Sequence, residues 1–172
     1  MMRVTSEARL LIASDHAGFA LKTKLIERRA GLPWQDLGPS TDARVDYPVF
    51  ADRLALALEK AGPKTQPELL LGRESALCAP DGSLRETCGV LICGSGQGMA
   101  MRANRHPGLR AALCGDEEAA RLARGHNDAN VLCLGARLTT PDLALAILDA
   151  FLRQAFEGGR HGPRVALLSR PV

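Results

Sequence analysis

Gly89-Val-Leu-Ile-Cys-Gly-Ser-Gly-Gln-Gly-Met-Ala100 is the stretch on which the fold turns: an apolar run, then glycines at 94, 96 and 98, then residues that can open a helix. An uninterrupted apolar run of this length reads as a strand buried on both faces. Alternate glycines at its end let the backbone turn tightly and aim N–H groups outward. A helix start beyond them adds positive potential, so the loop is suited to hold an anion such as a phosphate, a carboxylate or an enediolate. The plainer alternative is a tight strand-to-helix connection with no ligand.

Working outward, similar apolar runs bounded by Gly, Ser, Asp or Pro occur at Arg9–Ala13, Trp34–Leu37, Leu109–Leu113 and Val131–Leu134. Segments with apolar residues at three- and four-residue intervals lie between and after them: Ala20–Ala30, Pro48–Lys60, Gly98–Asn104, Asp116–Arg124 and Pro141–Phe156. Thr140 before Pro141, and Asp116 before two glutamates, are N-terminal cap signals. The alternation is βαβ throughout. It calls for right-handed crossovers and a Rossmann-like α/β fold, a three-layer α/β/α sandwich around a five-stranded parallel sheet. Residues 1–172 read as a single domain. The exception is an inserted excursion at about 62–86, where three prolines and the Asp81-Gly82 turn pair stand in place of a short loop.

Composition narrows the function. Twenty-two Lys and Arg against nineteen Asp and Glu give a net charge of +3, too mild for a phosphate-neutralising surface. With only Trp34, Tyr47 and four Phe there is little material for stacking exposed bases. Nucleic acid is therefore not expected as a partner. No apolar run reaches the length of a membrane span, and the N-terminal region lacks the layout of a signal peptide, so a cytoplasmic protein with no membrane association is expected. Five cysteines make an odd count for a disulfide framework. With no C-x-x-C pair, and with histidines scattered at 16, 106, 126 and 161, no metal site is expected.

Known loop motifs can be tested against residues 93–100. The dinucleotide pattern G-x-G-x-x-G needs glycine at 99, where Met99 stands. No Gly-Lys-Ser/Thr of a P-loop is present, and a cysteine phosphatase would need arginine at 99. What remains is Cys93, last residue of a strand and first of an anion-suited loop, which reads as a base, a nucleophile or an inert buried thiol. Asp15 and His16 follow the first strand, on the same sheet edge as Cys93, where an active-site rim would lie; an Asp cap with an exposed His is the alternative. His126 and Asn127 precede the fifth strand, in a run that fits a turn equally well. Arg137, Arg160, His161 and Arg164 offer donors suited to phosphate, or else a solvated basic tail.

The order and wording of six motifs together resemble the sugar-phosphate isomerase family of type B ribose-5-phosphate isomerases and galactose-6-phosphate isomerase subunits. They are Ile12-Ala-Ser-Asp-His-Ala-Gly-Phe19, Asp46-Tyr-Pro48, Leu91-Ile-Cys-Gly-Ser-Gly96, Gly108-Leu-Arg-Ala-Ala112, His126 to Arg137, and Gly158-Gly-Arg-His161. The resemblance implies a cofactor-independent aldose–ketose isomerase acting on a small phosphorylated sugar. It also implies a homodimer or homotetramer whose active sites are shared between subunits. Cys93 would move the proton between C2 and C1, and Gly94, Ser95, Gly96 and Gly98 would hold the enediolate oxygen. His126 would assist ring opening, while Asp15 and Asn127 would handle sugar oxygens. His16, Arg137, Arg160, His161 and Arg164 would face the phosphate, with Tyr47 among the substrate contacts. Some family members lack the cysteine and carry a glutamate at the position of Met99. Two rival readings are a non-catalytic sugar-phosphate-binding subunit and a nucleotide-binding module. The first could dispense with the base; the second would want the glycine missing at 99.

Overall fold

A computed structural model describes residues 8–61, 76–78 and 84–168. Its elements run β1 (Leu10–Ser14), α1 (Phe19–Arg28), β2 (Trp34–Asp36), α2 (Tyr47–Lys60), β3 (Cys88–Cys93), α3 (Gln97–Ala103), β4 (Ala111–Leu113), α4 (Glu117–Asn127), β5 (Val131–Gly135), α5 (Pro141–Arg153) and α6 (Gly162–Leu168). A 3₁₀ turn, Gly159–His161, leads into α6. The five strands form one parallel sheet in the order β2-β1-β3-β5-β4.

Every residue of β1, β3 and β5 is buried, which is why they read as continuous apolar runs rather than alternating ones. The edge strands β2 and β4 have three residues each and are partly exposed. Alternation along β1 sorts side chains to the two faces. Leu10 and Ile12 join a core with Leu25 and Phe151, against α1, α4 and α5. Leu11 and Ala13 join Leu54, Leu91, Cys93 and Met99, against α2 and α3. Deep burial of a core leucine such as Leu54 contributes about 2 kcal/mol, so each face anchors its own helices.

Both predicted caps form: Thr140 Oγ1 accepts from Leu143 N–H at 3.3 Å, and Asp116 Oδ1 from Ala119 N–H at 2.7 Å. The helix expected to reach Phe156 ends at Arg153. The chain then leaves the helix and turns back into α6, and Phe156 packs on Val165 in a small core of its own. Gly158–Arg164 is thus partly structured and not a solvated tail. Most of the excursion expected at 62–86 lies outside the described residues. Of the parts that are described, Ala76 pairs antiparallel with Ala155, Cys78 with Leu84, and Leu77 is buried in the first core. Among the described residues no helix is long and apolar enough to cross a membrane.

An ion-pair network fastens α2 to α3. Asp52 takes two hydrogen bonds from Arg102, at 2.6 and 2.8 Å, and lies 2.8 Å from His106 Nε2. The Arg102 hydrogen bonds, with help from His106, lower the Asp52 carboxyl from its ordinary 3.8 to about 2. A depressed folded-state pKa stabilises above the unfolded value and loses that stabilisation as pH falls through the folded one. With the pair partly exposed, the contribution is about 1 kcal/mol. Asp52→Asn should therefore be less stable than wild type by about 1 kcal/mol at neutral pH in urea melts. The two proteins should converge as pH falls from 3.8 to about 2; a difference that persisted at the acid end would contradict the network.

Candidate active site

The order of the strands decides where a ligand can sit. β1 feeds β2 on one side, and the chain then crosses back to lay β3 on the other side of β1. The crevice between the ends of β1 and β3 is therefore a topological switch point, the usual binding place in open parallel sheets. Asp15 follows β1 and Cys93 ends β3, so both line it. Asp15 N–H donates to Ile92 O at 3.0 Å, tying the two strand ends together.

Cys93 is nearly buried, at 5 % exposure, and its Sγ accepts the Gly96 N–H at 3.1 Å. A thiolate accepts such a bond more strongly than a thiol does. Gly96 manages this by adopting φ +77°, and a Cβ there would lie 2.5 Å from Leu113 Cδ1, so only glycine fits. The Gly96 amide, expected on the enediolate oxygen, is committed to the sulfur. The oxyanion task falls to its neighbours, and the first-turn amides of α3 have no partner within their own helix. Burial pushes the thiols of Cys88 and Cys114 up to about 12 and raises those of Cys133 and Cys78. Met99 is fully buried in the core behind Cys93, where it offers no proton acceptor.

Around this loop the structure gathers Asp15, His16, Tyr47, Ser95 and Arg137. Asp15 Oδ1 accepts from Gly18 N–H at 2.9 Å, which fixes the carboxylate at the mouth of the crevice. It is a local cap, and still at the rim. His16 Nδ1 lies 3.3 Å from Val45 O and so is held by the loop before α2. A Cβ on Gly98 would be 2.6 Å from the Tyr47 ring, and one on Gly94 would be 3.3 Å from the Arg137 guanidinium carbon. Both side chains therefore lie directly on the glycine loop. Arg137 N–H also donates to Gly94 O at 3.0 Å, so its cation is carried by the backbone that carries Cys93.

The second group lies elsewhere. His126 and Asn127 end α4, just before β5 begins, and α5 returns the chain to the same edge, where Glu157 N–H donates to Gly125 O at 3.0 Å. Arg160, His161 and Arg164 follow there. Parallel strands begin on one edge and end on the other; β5 has five residues, so the groups are separated by about 16 Å of strand. One chain does not bring His126, Asn127, Arg160, His161 and Arg164 to its own Cys93.

On that second edge His126 and His161 stack, ring centroids 4.3 Å apart and planes within 8°, though 35 residues separate them in sequence. Glu157 Oε2 lies 3.6 Å from His126 Nε2 and 3.8 Å from His161 Nε2. Sequence reasoning did not single out Glu157; its only signal was a carboxylate beside the Gly158-Gly159 pair. The turn after Asn127 is clamped from beneath. Asp128 adopts φ +46°, its carboxylate accepts from Arg110 and Arg124 at 2.8 Å each, and Arg124 also reaches Ala129 O at 2.6 Å. These two arginines, more than nine-tenths buried, hold the end of α4 in one shape. Asn127 lines a cleft of about 340 Å³ beside it.

Residues 10–66 and 80–168 match the Ribose/Galactose Isomerase family. A probable ribose-5-phosphate isomerase B of Mycoplasma pneumoniae is 40 % identical over 159 residues, 91 % of this chain and 90 % of that one. Ribose-5-phosphate isomerase B of Escherichia coli is 36 % identical over 163 residues, 94 % of each. Among solved structures, ribose-5-phosphate isomerase B from Mycoplasma genitalium with bound ribulose 5-phosphate superposes with a TM-score of 0.76 at 37 % identity, covering 94 % of this chain and 93 % of that one. A ribose 5-phosphate isomerase from Thermotoga maritima gives 0.77 at 36 %, covering 95 % and 99 %. Fold, crevice and sequence agree along nearly the whole length: this chain belongs to the Ribose/Galactose Isomerase family of aldose–ketose isomerases.

Proposed function

We propose that this chain interconverts ribose 5-phosphate and ribulose 5-phosphate in the cytoplasm as a single-domain protein, with Cys93 as the base and no cofactor. The observation that carries the reading is the Cys93 sulfur, hydrogen-bonded by Gly96 N–H in the crevice beside Asp15. The bound ribulose 5-phosphate of the Mycoplasma genitalium relative supports the choice of sugar.

The reaction is an internal oxidation–reduction. The Cys93 thiolate takes the proton from C2 of the open-chain aldose, and the electron pair moves onto the carbonyl to give an enediolate. The proton returns at C1, while the hydroxyl proton passes from O2 to O1, within reach of Asp15 and Ser95. Electrons are redistributed within the sugar, so the step draws on no external oxidant. Amides of the 94–98 loop stabilise the developing oxyanion. Arg137 on the loop binds the same anionic substrate, with His16 and Tyr47 at the rim.

His126, Asn127, Arg160, His161 and Arg164 belong to this chemistry through a second copy of the chain. The sheet places them on the edge remote from Cys93, so a site containing both groups needs two chains, each giving one edge. A symmetric dimer meets that need twice.

Arg137→Ala tests the grip on substrate. It should raise KM about tenfold and lower kcat by a similar factor, because binding energy at the non-reacting end orients the reacting carbon. Unchanged steady-state kinetics would remove Arg137 from the site. The reading as a whole is tested by assaying isomerisation of phosphorylated aldoses of four to six carbons. Ribose 5-phosphate should give the highest kcat/KM; preference for galactose 6-phosphate would move the chain to the other branch of its family, and no turnover of any would overturn the enzyme.

A further inference from the structure

On the edge that carries His126, Gly125 occupies a buried position inside α4, where glycine is less favourable than alanine. Its backbone is ordinary helix, so no dihedral requires it. The reason lies across the gap: a Cβ on Gly125 would stand 2.9 Å from Glu157 Oε1. The missing side chain is the seat of the Glu157 carboxylate, and the Glu157 N–H to Gly125 O bond holds the backbone in step. From that seat the other carboxylate oxygen faces the Nε2 atoms of both His126 and His161. The planes of the stacked rings are parallel within 8°, so their in-plane lone pairs run side by side and do not converge on one metal ion.

We propose that Glu157, seated on Gly125, is a positioning residue for His126: with His161 stacked behind it, the carboxylate fixes the ring that opens the cyclic sugar. This deepens the proposed function and rests on it. Charging both stacked rings, 4.3 Å apart, would be opposed by their mutual repulsion. Burial, then the neighbouring His126, Arg160 and Arg164, lower the His161 pKa, and Glu157 opposes them. Ring opening needs a proton delivered to the ring oxygen and one removed from the anomeric hydroxyl, a task for an imidazole poised between its two forms.

The test compares two substrates. Ribose 5-phosphate closes to a furanose, whereas erythrose 4-phosphate carries phosphate on the oxygen that would close the ring. Glu157→Gln should lower kcat/KM for ribose 5-phosphate about tenfold, leave erythrose 4-phosphate within twofold, and move the ring-proton titration of His126 and His161 in NMR to lower pH. Gly125→Ala, which displaces the carboxylate without removing it, should reproduce both changes. Equal losses on the two sugars, or unchanged histidine titrations in Glu157→Gln, would overturn the assignment. Where wild type turns over only ribose 5-phosphate, the titration decides alone. A wild type inactive on both sugars would sink the proposed function, while a shifted titration would still establish that Glu157 holds the histidine pair.

Discussion

Cys93→Ser should keep the fold and lose about a thousandfold in kcat on ribose 5-phosphate, with KM changed by less than about threefold. The change is nearly isosteric, and Gly96 N–H can donate to a hydroxyl as it does to the sulfur. A serine hydroxyl, however, stays protonated near neutral pH and offers no base. Such a split places the loss in proton transfer and not in binding. Alkylation should single out Cys93 as well. Burial raises the thiols of Cys78, Cys88, Cys114 and Cys133, and only Cys93 stands where β1 and β3 end, so substrate-protected modification should map to residue 93 alone. A serine variant with near wild-type turnover would transfer the base to Asp15, its neighbour across the crevice.

His126→Asn should slow a cyclic substrate selectively. About a hundredfold loss in kcat/KM is expected on ribose 5-phosphate, against a few-fold on erythrose 4-phosphate, because only the first must be opened before the proton can move. The stack makes this more than a cavity effect. Asparagine fills part of the ring's space against His161 but cannot pass a proton between two oxygens. Equal losses on both sugars would reduce His126 to a packing residue.

The centre of the fold was legible because β1, β3 and β5 are buried on both faces, so their sequences carry nothing but the demand for burial. The glycine loop was legible for a related reason: close approaches of Tyr47 to Gly98 and Leu113 to Gly96 leave no room for side chains. α6 escaped notice. Its seven residues bury little besides Val165, and the glycines and arginines before it read as loop. The strand expected at Leu109–Leu113 is shortened to Ala111–Leu113 because Arg110 turns to Asp128 and its N–H goes to Asn130 Oδ1. In the site, local signals gave Cys93, Asp15 and Arg137 on one edge, since each directly ends or follows a strand. The pairing of His126 with His161 was invisible, because α5 must first carry the chain back across the sheet before the rings can meet. His126 is apart from Cys93 because α4 returns the chain to the edge where the strands begin, whereas Cys93 ends a strand, a fact of topology that no motif spacing records.

The most direct test of a thiolate base completed by a second chain is complementation. Cys93→Ser and His126→Asn, each nearly inactive on ribose 5-phosphate alone, are unfolded together and refolded as a mixture. If every site takes Cys93 from one chain and His126 from another, random pairing into dimers makes half of the molecules hybrids, each with one intact site. The mixture should then recover about a quarter of wild-type activity. A mixture no more active than its two components would contradict the account.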